Sequence, residues 1–288
     1  MIKIVFEIFS TLLIIPCLVF VASVIANILF NQQVKQEVKE LFNNTVENNN
    51  GVIQESDLEE LPNSVQKWLE YSQVVGKERI RSVRLKQKAV MRIEEDKSWM
   101  SVKAEQYFTV DKPGFIWKAR IKAAPFFYIV GRDKYQNGRG SMLIKILSLI
   151  TVADSKGQEM DQATLVRYLA EIVWFPTAAL SSYIEWEEID STSAKAIMSY
   201  RGVTASGVFE FDSQGRVINF TAERYMEKNG EYDLETWVVS MDEYKECNGV
   251  CIPVQGAVTW QLETGDFNWF QFEITEIEYN KPVIYEKF

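Results

Sequence analysis

Arg167 and Glu171 stand four residues apart in RYLAE, a segment with helical periodicity, so a guanidinium and a carboxylate share one helix face. Trp174 lies seven residues beyond Arg167, on much the same side. Turned outward, the pair is a structural ion pair over core packing. Turned into a cavity, Arg167 suits a carboxylate or phosphate head group, because a planar guanidinium offers such groups two parallel hydrogen bonds. Arg120, Arg132 and Asp133 form a second group. On a solvated sheet face they are ordinary surface charges. Their neighbours Trp117, Ile129 and Val130 are apolar or aromatic, however, and a buried polar cluster there must be fully paired. Trp174 and Trp186 belong to a set of aromatic residues divided between core filler and pocket wall.

Other chemistry is excluded or thinly supported. The 288 residues include no histidine. That removes Ser-His-Asp and Cys-His nucleophiles, HExxH zinc sites, imidazole bases and the histidine pH switch. Glu105, Asp133 and Glu171 could in principle carry acid–base hydrolysis of the glycosidase kind, which needs only two carboxyl groups. Calcium-loop Asp-x-Asp patterns are absent, and neither a metal nor a cofactor is expected. The segment GRDKYQNGRG (131–140) is glycine-rich but fits neither a P-loop nor GxGxxG, and Asn137-Gly138 reads as a hairpin turn. Cys247 and Cys251 flank Asn248-Gly249-Val250. A three-residue loop would set them opposite each other, as a small disulfide or as two buried thiols. The formal net charge of -9 argues against nucleic acid as a partner.

The elements that must position these groups are mostly strands. A short helix is expected from Leu61 to about Val75, with Val65, Trp68, Leu69 and Ser72 on one face. From Val83 the period changes to two, and strand patterns run through 83–93, 101–110, 114–122, 125–132 and 134–146. One helix interrupts at 161–173, with Asp161 as its N-cap and Pro176 ending it. Strands resume from Ile184 to Tyr279, joined by Asp212–Gly215, Asn229-Gly230, Asn248-Gly249 and Thr264–Asp266. The fold class is therefore mainly β within α+β. One strongly curved antiparallel sheet or half-barrel of about eleven strands is expected, its concave face capped by the helices. Two helices are too few to cover both faces of a parallel sheet.

Ahead of this domain lies a membrane segment. Ile8 to Phe30 carries no charge and would form about 34 Å of helix, enough to cross a hydrocarbon core of roughly 30 Å. Pro16 and Asn27 are its only awkward residues. A cleaved signal peptide ending near Val24-Ile25-Ala26 is the rival reading, though the apolar run exceeds the usual h-region. A buried core helix would show a polar face, and none is visible. An uncleaved single-pass anchor in 1–30 is the expectation. Residues 31–42 continue the helix along or above the membrane, and an Asn-rich, acidic linker reaches residue 60. The domain spans 61–288. Lys3 on one side of the segment and Lys35 and Lys39 on the other leave the charge rule undecided, but an amino-terminal anchor before a large domain resembles a signal anchor, which would put the domain outside the cytoplasm.

Several strings resemble an uncharacterised bacterial family known only as a domain of unknown function, often found behind an amino-terminal membrane segment. They are AEQYF (104–108), PGFIWKARI (113–121), GRDKYQNGRGSM (131–142), RYLAEIVWFPTAAL (167–180), IEWEEID (184–190) and GDFNWFQFEITEIEY (265–279). The resemblance covers roughly 61–288 and implies no activity. The expected sheet is also similar in outline to periplasmic lipoprotein carriers of the LolA type. Together these readings predict a non-catalytic, membrane-tethered domain that holds a hydrophobic or amphiphilic, lipid-like molecule in the concavity. A structural or interaction module of the cell envelope is the alternative, and a carboxylate hydrolase a further one. The candidate ligand contacts are Arg120, Arg132, Asp133, Arg167, Glu171, Trp174 and Trp186.

Overall fold

A computed structural model describes residues 2–43, 51–125, 127–228 and 230–286, with side chains from residue 15 onward. The expected Asn-rich loop lies almost wholly outside the described residues, as does Asn229 of the expected Asn229-Gly230 turn.

Thirteen strands form one antiparallel sheet curled into a half-barrel, two more than expected. The first six are β1 (Ser82–Met91), β2 (Met100–Thr109), β3 (Gly114–Ala124), β4 (Phe127–Gln136), β5 (Arg139–Ile146) and β6 (Ile150–Lys156). The next seven are β7 (Ile184–Asp190), β8 (Ser193–Tyr200), β9 (Val203–Phe211), β10 (Val217–Lys228), β11 (Glu231–Cys247), β12 (Val250–Leu262) and β13 (Gly265–Tyr279). Each group is a meander, and β1 pairs with β13 to join them, which leaves β6 and β7 as the two edges. The segment expected as one strand over 134–146 is instead parts of β4 and β5. Asn137 and Gly138 reverse the chain there with φ of 56° and 80°, the left-handed conformations a two-residue hairpin turn needs. Strand β6 has no matching expectation, because its apolar Ile150 and Val152 face outward and no buried face marks it.

Helix α2 (Asn63–Tyr71) buries Val65, Trp68 and Leu69, as its periodicity predicts. Helix α3 (Gln158–Glu171) connects the two edge strands, so it must cross the open side of the half-barrel. It starts one turn earlier than expected. Asp161 does not cap it: the carboxylate accepts the Gly140 N–H at 2.6 Å and Arg139 Nη1 at 2.8 Å, tying the helix to β5. The approach is close enough that a Cβ on Gly140 would stand 2.4 Å from the Met160 carbonyl oxygen. After α3 the chain continues in two short 3-10 turns, Ile172–Trp174 and Pro176–Leu180, which pack Trp174 and Phe175 against Phe108. The concave core is strongly aromatic, with Trp68, Phe108, Phe115, Phe209 and Phe220 all fully buried.

Helix α1 (Ile2–Phe42) runs unbroken through Pro16 and continues past the apolar stretch, as expected. Its last part does not lie free above a membrane. Phe30, Val34, Val38 and Leu41 are buried on the convex face against Tyr107, Ile116, Val130 and Leu143, making a second core on the outside of the sheet. The part of the helix over residues 15–42 contains a stretch long and apolar enough to cross a membrane, with a mean hydropathy of 1.8 in its most apolar window. Cys247 pairs with Val250 and Cys251 with Glu246 across a two-residue loop rather than three. Successive ladder pairs point to opposite faces, so the two thiols diverge, and both are free; the possible disulfide is not formed.

Candidate functional site

Strand alternation divides the expected site residues between the two faces of the sheet. In β4, Gly131 and Asp133 face the concavity, whereas Arg132 faces α1 and meets Glu37 at 3.2 Å. Arg120 is exposed, with its guanidinium 3.6 Å from the centre of the Tyr128 ring. Glu105, buried next to Tyr107, also belongs to the convex side, where burial holds its carboxyl above the ordinary range and Lys118 opposes the shift. Trp186 packs on Trp68 and Phe209, and its indole N–H donates to the Ala179 carbonyl at 3.0 Å. Asp133, Arg167, Glu171 and Trp174 do come together in the concavity; Arg120, Arg132 and Trp186 lie elsewhere.

There they line a cavity of about 370 Å³ between α3 and the inner face of the sheet, within the range of small-ligand sites. Its wall is largely aromatic and aliphatic: Trp117, Trp174, Trp237, Trp260, Trp269 and Phe272 supply most of the rings. Arg167 crosses from α3 to the sheet. Its Nε donates to Glu171 Oε1 at 2.9 Å and its Nη1 to Asp133 Oδ2 at 2.6 Å. Gln106 Nε2 donates to the other Glu171 oxygen at 2.7 Å. The guanidinium carbon also lies 5.0 Å from the Trp117 ring centre. Burial works against the Arg167 charge, but Glu171 and Asp133 outweigh it and hold the guanidinium above its ordinary value. Burial pushes the Glu171 carboxyl up, with Arg167 opposing. Two of the five N–H donors of Arg167 are thus held by the protein's own carboxylates, which balance its charge within the cavity.

A second arginine, not foreseen from the sequence, has the opposite character. Arg224 of β10 lines the same cavity. Its Nε donates to the Ala163 carbonyl on α3 at 2.9 Å, and its guanidinium lies 5.0 Å from the Trp237 ring centre and 5.5 Å from that of Trp260. Among the described residues no carboxylate forms an ion pair with it. Burial and the nearby Arg167 push its pKa down to about 10. The indole N–H groups of Trp174, Trp237 and Trp269, on the same wall, also lack an acceptor. The cavity is therefore apolar but carries spare donors. In the sequence Arg224 is one charge in the alternating string TAERYMEK, and only the curl of the sheet turns it inward.

The molecule is, by class, a helix-plugged half-barrel with an apolar internal cavity. Its family follows from the sequence: residues 51–272 match a family of unknown function, DUF6544, and the chain belongs to it. No curated protein matches the chain. Among solved structures it is similar to a LolA superfamily protein from Nitrosomonas europaea, at 10% identity and a TM-score of 0.41, over 74% of this chain and 92% of that one. It is also similar to a domain from Vibrio parahaemolyticus described as an outer membrane lipoprotein-sorting protein, at 10% identity and 0.41, over 71% and 87%. A DUF1329 family protein from Desulfovibrio piger gives 7% identity and 0.43, over 77% and 93%.

Proposed function

We propose that this chain is a membrane-tethered, extracytoplasmic domain that binds an amphiphile bearing an anionic or acceptor-rich head group, without catalysing a reaction on it. The carrying observation is the cavity of about 370 Å³, walled by tryptophan and phenylalanine, with one arginine that forms no ion pair among the described residues. Apolar walls favour a hydrocarbon chain, at about 0.8 kcal/mol for each methylene removed from water. Arg224 and the three indole N–H groups favour oxygen atoms at one end of that chain. Of the three carboxylates that line the cavity, Asp133 and Glu171 are both held on Arg167, while Glu227 accepts from Ser155 and Tyr232, an arrangement that favours holding a ligand over a paired acid and base.

The test is titration of the full chain in detergent micelles with a fluorescent fatty acid and with its alcohol counterpart, read by energy transfer from the cavity tryptophans. A charged hydrogen bond is worth about 1.5–3 kcal/mol, so the acid should bind roughly 10–100-fold more tightly. In Arg224→Met the two probes should bind alike. Absence of saturable binding by either probe, or an unchanged preference in the variant, contradicts the proposal.

A further inference from the structure

The cavity has a mouth and a floor, and α1 marks which end is which. The floor is made by Val173 and Trp174, both buried. The mouth is made by Ile93 just after β1, Ile121 near the end of β3, Ile144 near the end of β5, and Phe267 near the start of β13. Register places these residues at one end of the sheet, the end that carries the β3–β4 and β5–β6 turns. Helix α1 runs along the convex face between the two ends. Leu41 packs against Gly114, where β3 begins, at the floor end. Ser23 reaches the other end, where its hydroxyl shares a 3.0 Å hydrogen bond with Tyr128 and donates to the Leu147 carbonyl at 2.9 Å. The exposed apolar residues before Ser23 therefore project beyond the mouth end.

Two turns at this end are apolar where they touch α1. Phe127, Leu149 and Ile150 are 38%, 38% and 61% exposed, and Leu147 lies beside them. Turns at the floor end are polar, as in Asp111-Lys112, Asn137-Gly138 and Asn248-Gly249. Ser23 sits seven residues before Phe30, the end of the uncharged stretch, so the turn it holds lies about 10 Å inside that stretch along the helix. That depth is comparable with the roughly 5–10 Å to which interfacial elements sink into a leaflet. The polar residues of the apolar helix are satisfied by the same turn: the Ser148 hydroxyl donates to Asn27 Oδ1 at 3.2 Å. Buried polar groups in a membrane span require partners, and here the domain supplies them.

We infer that the β3–β4 and β5–β6 turns are inserted in the leaflet around α1, so that the cavity mouth opens on the bilayer and its ligand passes directly between membrane and cavity. The inference rests on the membrane-anchor reading of α1 and extends it to the domain. Of the charged residues at the same end, Glu94 to Lys97 lie in the β1–β2 turn and Glu227 in β10, away from the two apolar turns, while the exposed Lys122 flanks the β3–β4 turn, where its long side chain can reach the head groups.

The experiment places a photoreactive phenylalanine analogue at Val21, Leu149, Ile150 or Lys112 of the full chain in nanodiscs of phosphatidylethanolamine and phosphatidylglycerol. Crosslinks to lipid acyl chains are expected from Val21, Leu149 and Ile150 and not from Lys112, in the turn at the floor end. If Val21 crosslinks while Leu149 and Ile150 do no better than Lys112, the inference is overturned and the anchor stands. If Val21 gives no lipid crosslink, the anchor reading fails and the inference fails with it. Independently, Ile150→Glu should slow transfer of a fluorescent fatty acid from vesicles of the same lipids at least ten-fold, with its affinity in detergent unchanged; an unchanged transfer rate overturns the inference.

Discussion

Arg167 and Arg224 share one cavity, yet replacing each with methionine should have opposite consequences. Arg167→Met removes the partner of both Asp133 and Glu171 and leaves their carboxylates against an apolar wall. Breaking a buried pair from one side costs about 3–5 kcal/mol. The lower end applies, because Glu171 is already held above the ordinary carboxylate range and can take up a proton. For a domain of this size, 3 kcal/mol lowers Tm by about 6–12 °C. Arg224 carries a charge that burial disfavours, with its pKa falling from 12.5 to about 10. At 1.36 kcal/mol per pKa unit this is a cost of about 3 kcal/mol to the folded state. The Ala163 hydrogen bond and the contacts with Trp237 and Trp260 return about 2–3 kcal/mol. Arg224→Met should therefore leave Tm within about 3 °C of the parent while abolishing the preference for an anionic probe. Thermal unfolding of both full-length variants in the same detergent, beside the binding titration, is the assay. Equal destabilisation by the two substitutions would refute the reasoning, since it would make Arg224 an ordinary structural arginine.

Gly140→Ala should destabilise by about 1–3 kcal/mol and shift α3, because the new Cβ meets the Met160 backbone and the Thr164 hydroxyl; amide exchange along α3 reports the loosening. Gly131→Leu should fold normally and lose probe binding, because a Cβ there meets only the Trp117 ring at 3.6 Å and the longer side chain fills the cavity; a melting curve and a titration separate the two effects. Burial raises the Glu171 pKa above its ordinary value near 4.5, so the folded chain holds this proton more tightly than the unfolded chain. Stability linked to Glu171 is therefore greatest at low pH and is lost as pH rises from about 4.5 through the folded value. Glu171→Gln should flatten that decline, whereas parallel curves of Tm against pH for parent and variant would count against the assignment.

Much of this architecture was legible because alternation and turn chemistry are local. The period of two from Val83 onward, the Asn-Gly turns and the apolar stripes of α2 and α3 each follow from neighbouring residues. Strand β6 was not legible, because an edge strand with apolar residues on its open side lacks the half-buried pattern. The fate of residues 31–42 was half legible: Val34, Val38 and Leu41 mark a helix with one apolar face, but the surface covering that face, the convex side of β2 to β5, is assembled from residues more than sixty positions away. The same limit applies to the site. Arg167 and Glu171 are an i, i+4 pair and can be read from one helix turn. That Asp133 completes the network and Arg132 does not depends on which face of β4 is concave. That Arg224 faces inward beside Trp237 and Trp260 depends on how the fourth, fifth and sixth strands from the β7 edge curl around α3.

The most direct measurement is native mass spectrometry with lipid analysis of the full chain, extracted from its own membrane in a mild detergent, beside Gly131→Leu prepared in parallel. One amphiphile with an anionic or acceptor-rich head group should be retained by the parent at about one per chain and be missing from Gly131→Leu. A parent chain that emerges empty, or that carries the same lipids as the filled-cavity variant, would contradict the claim that this cavity exists to hold a ligand.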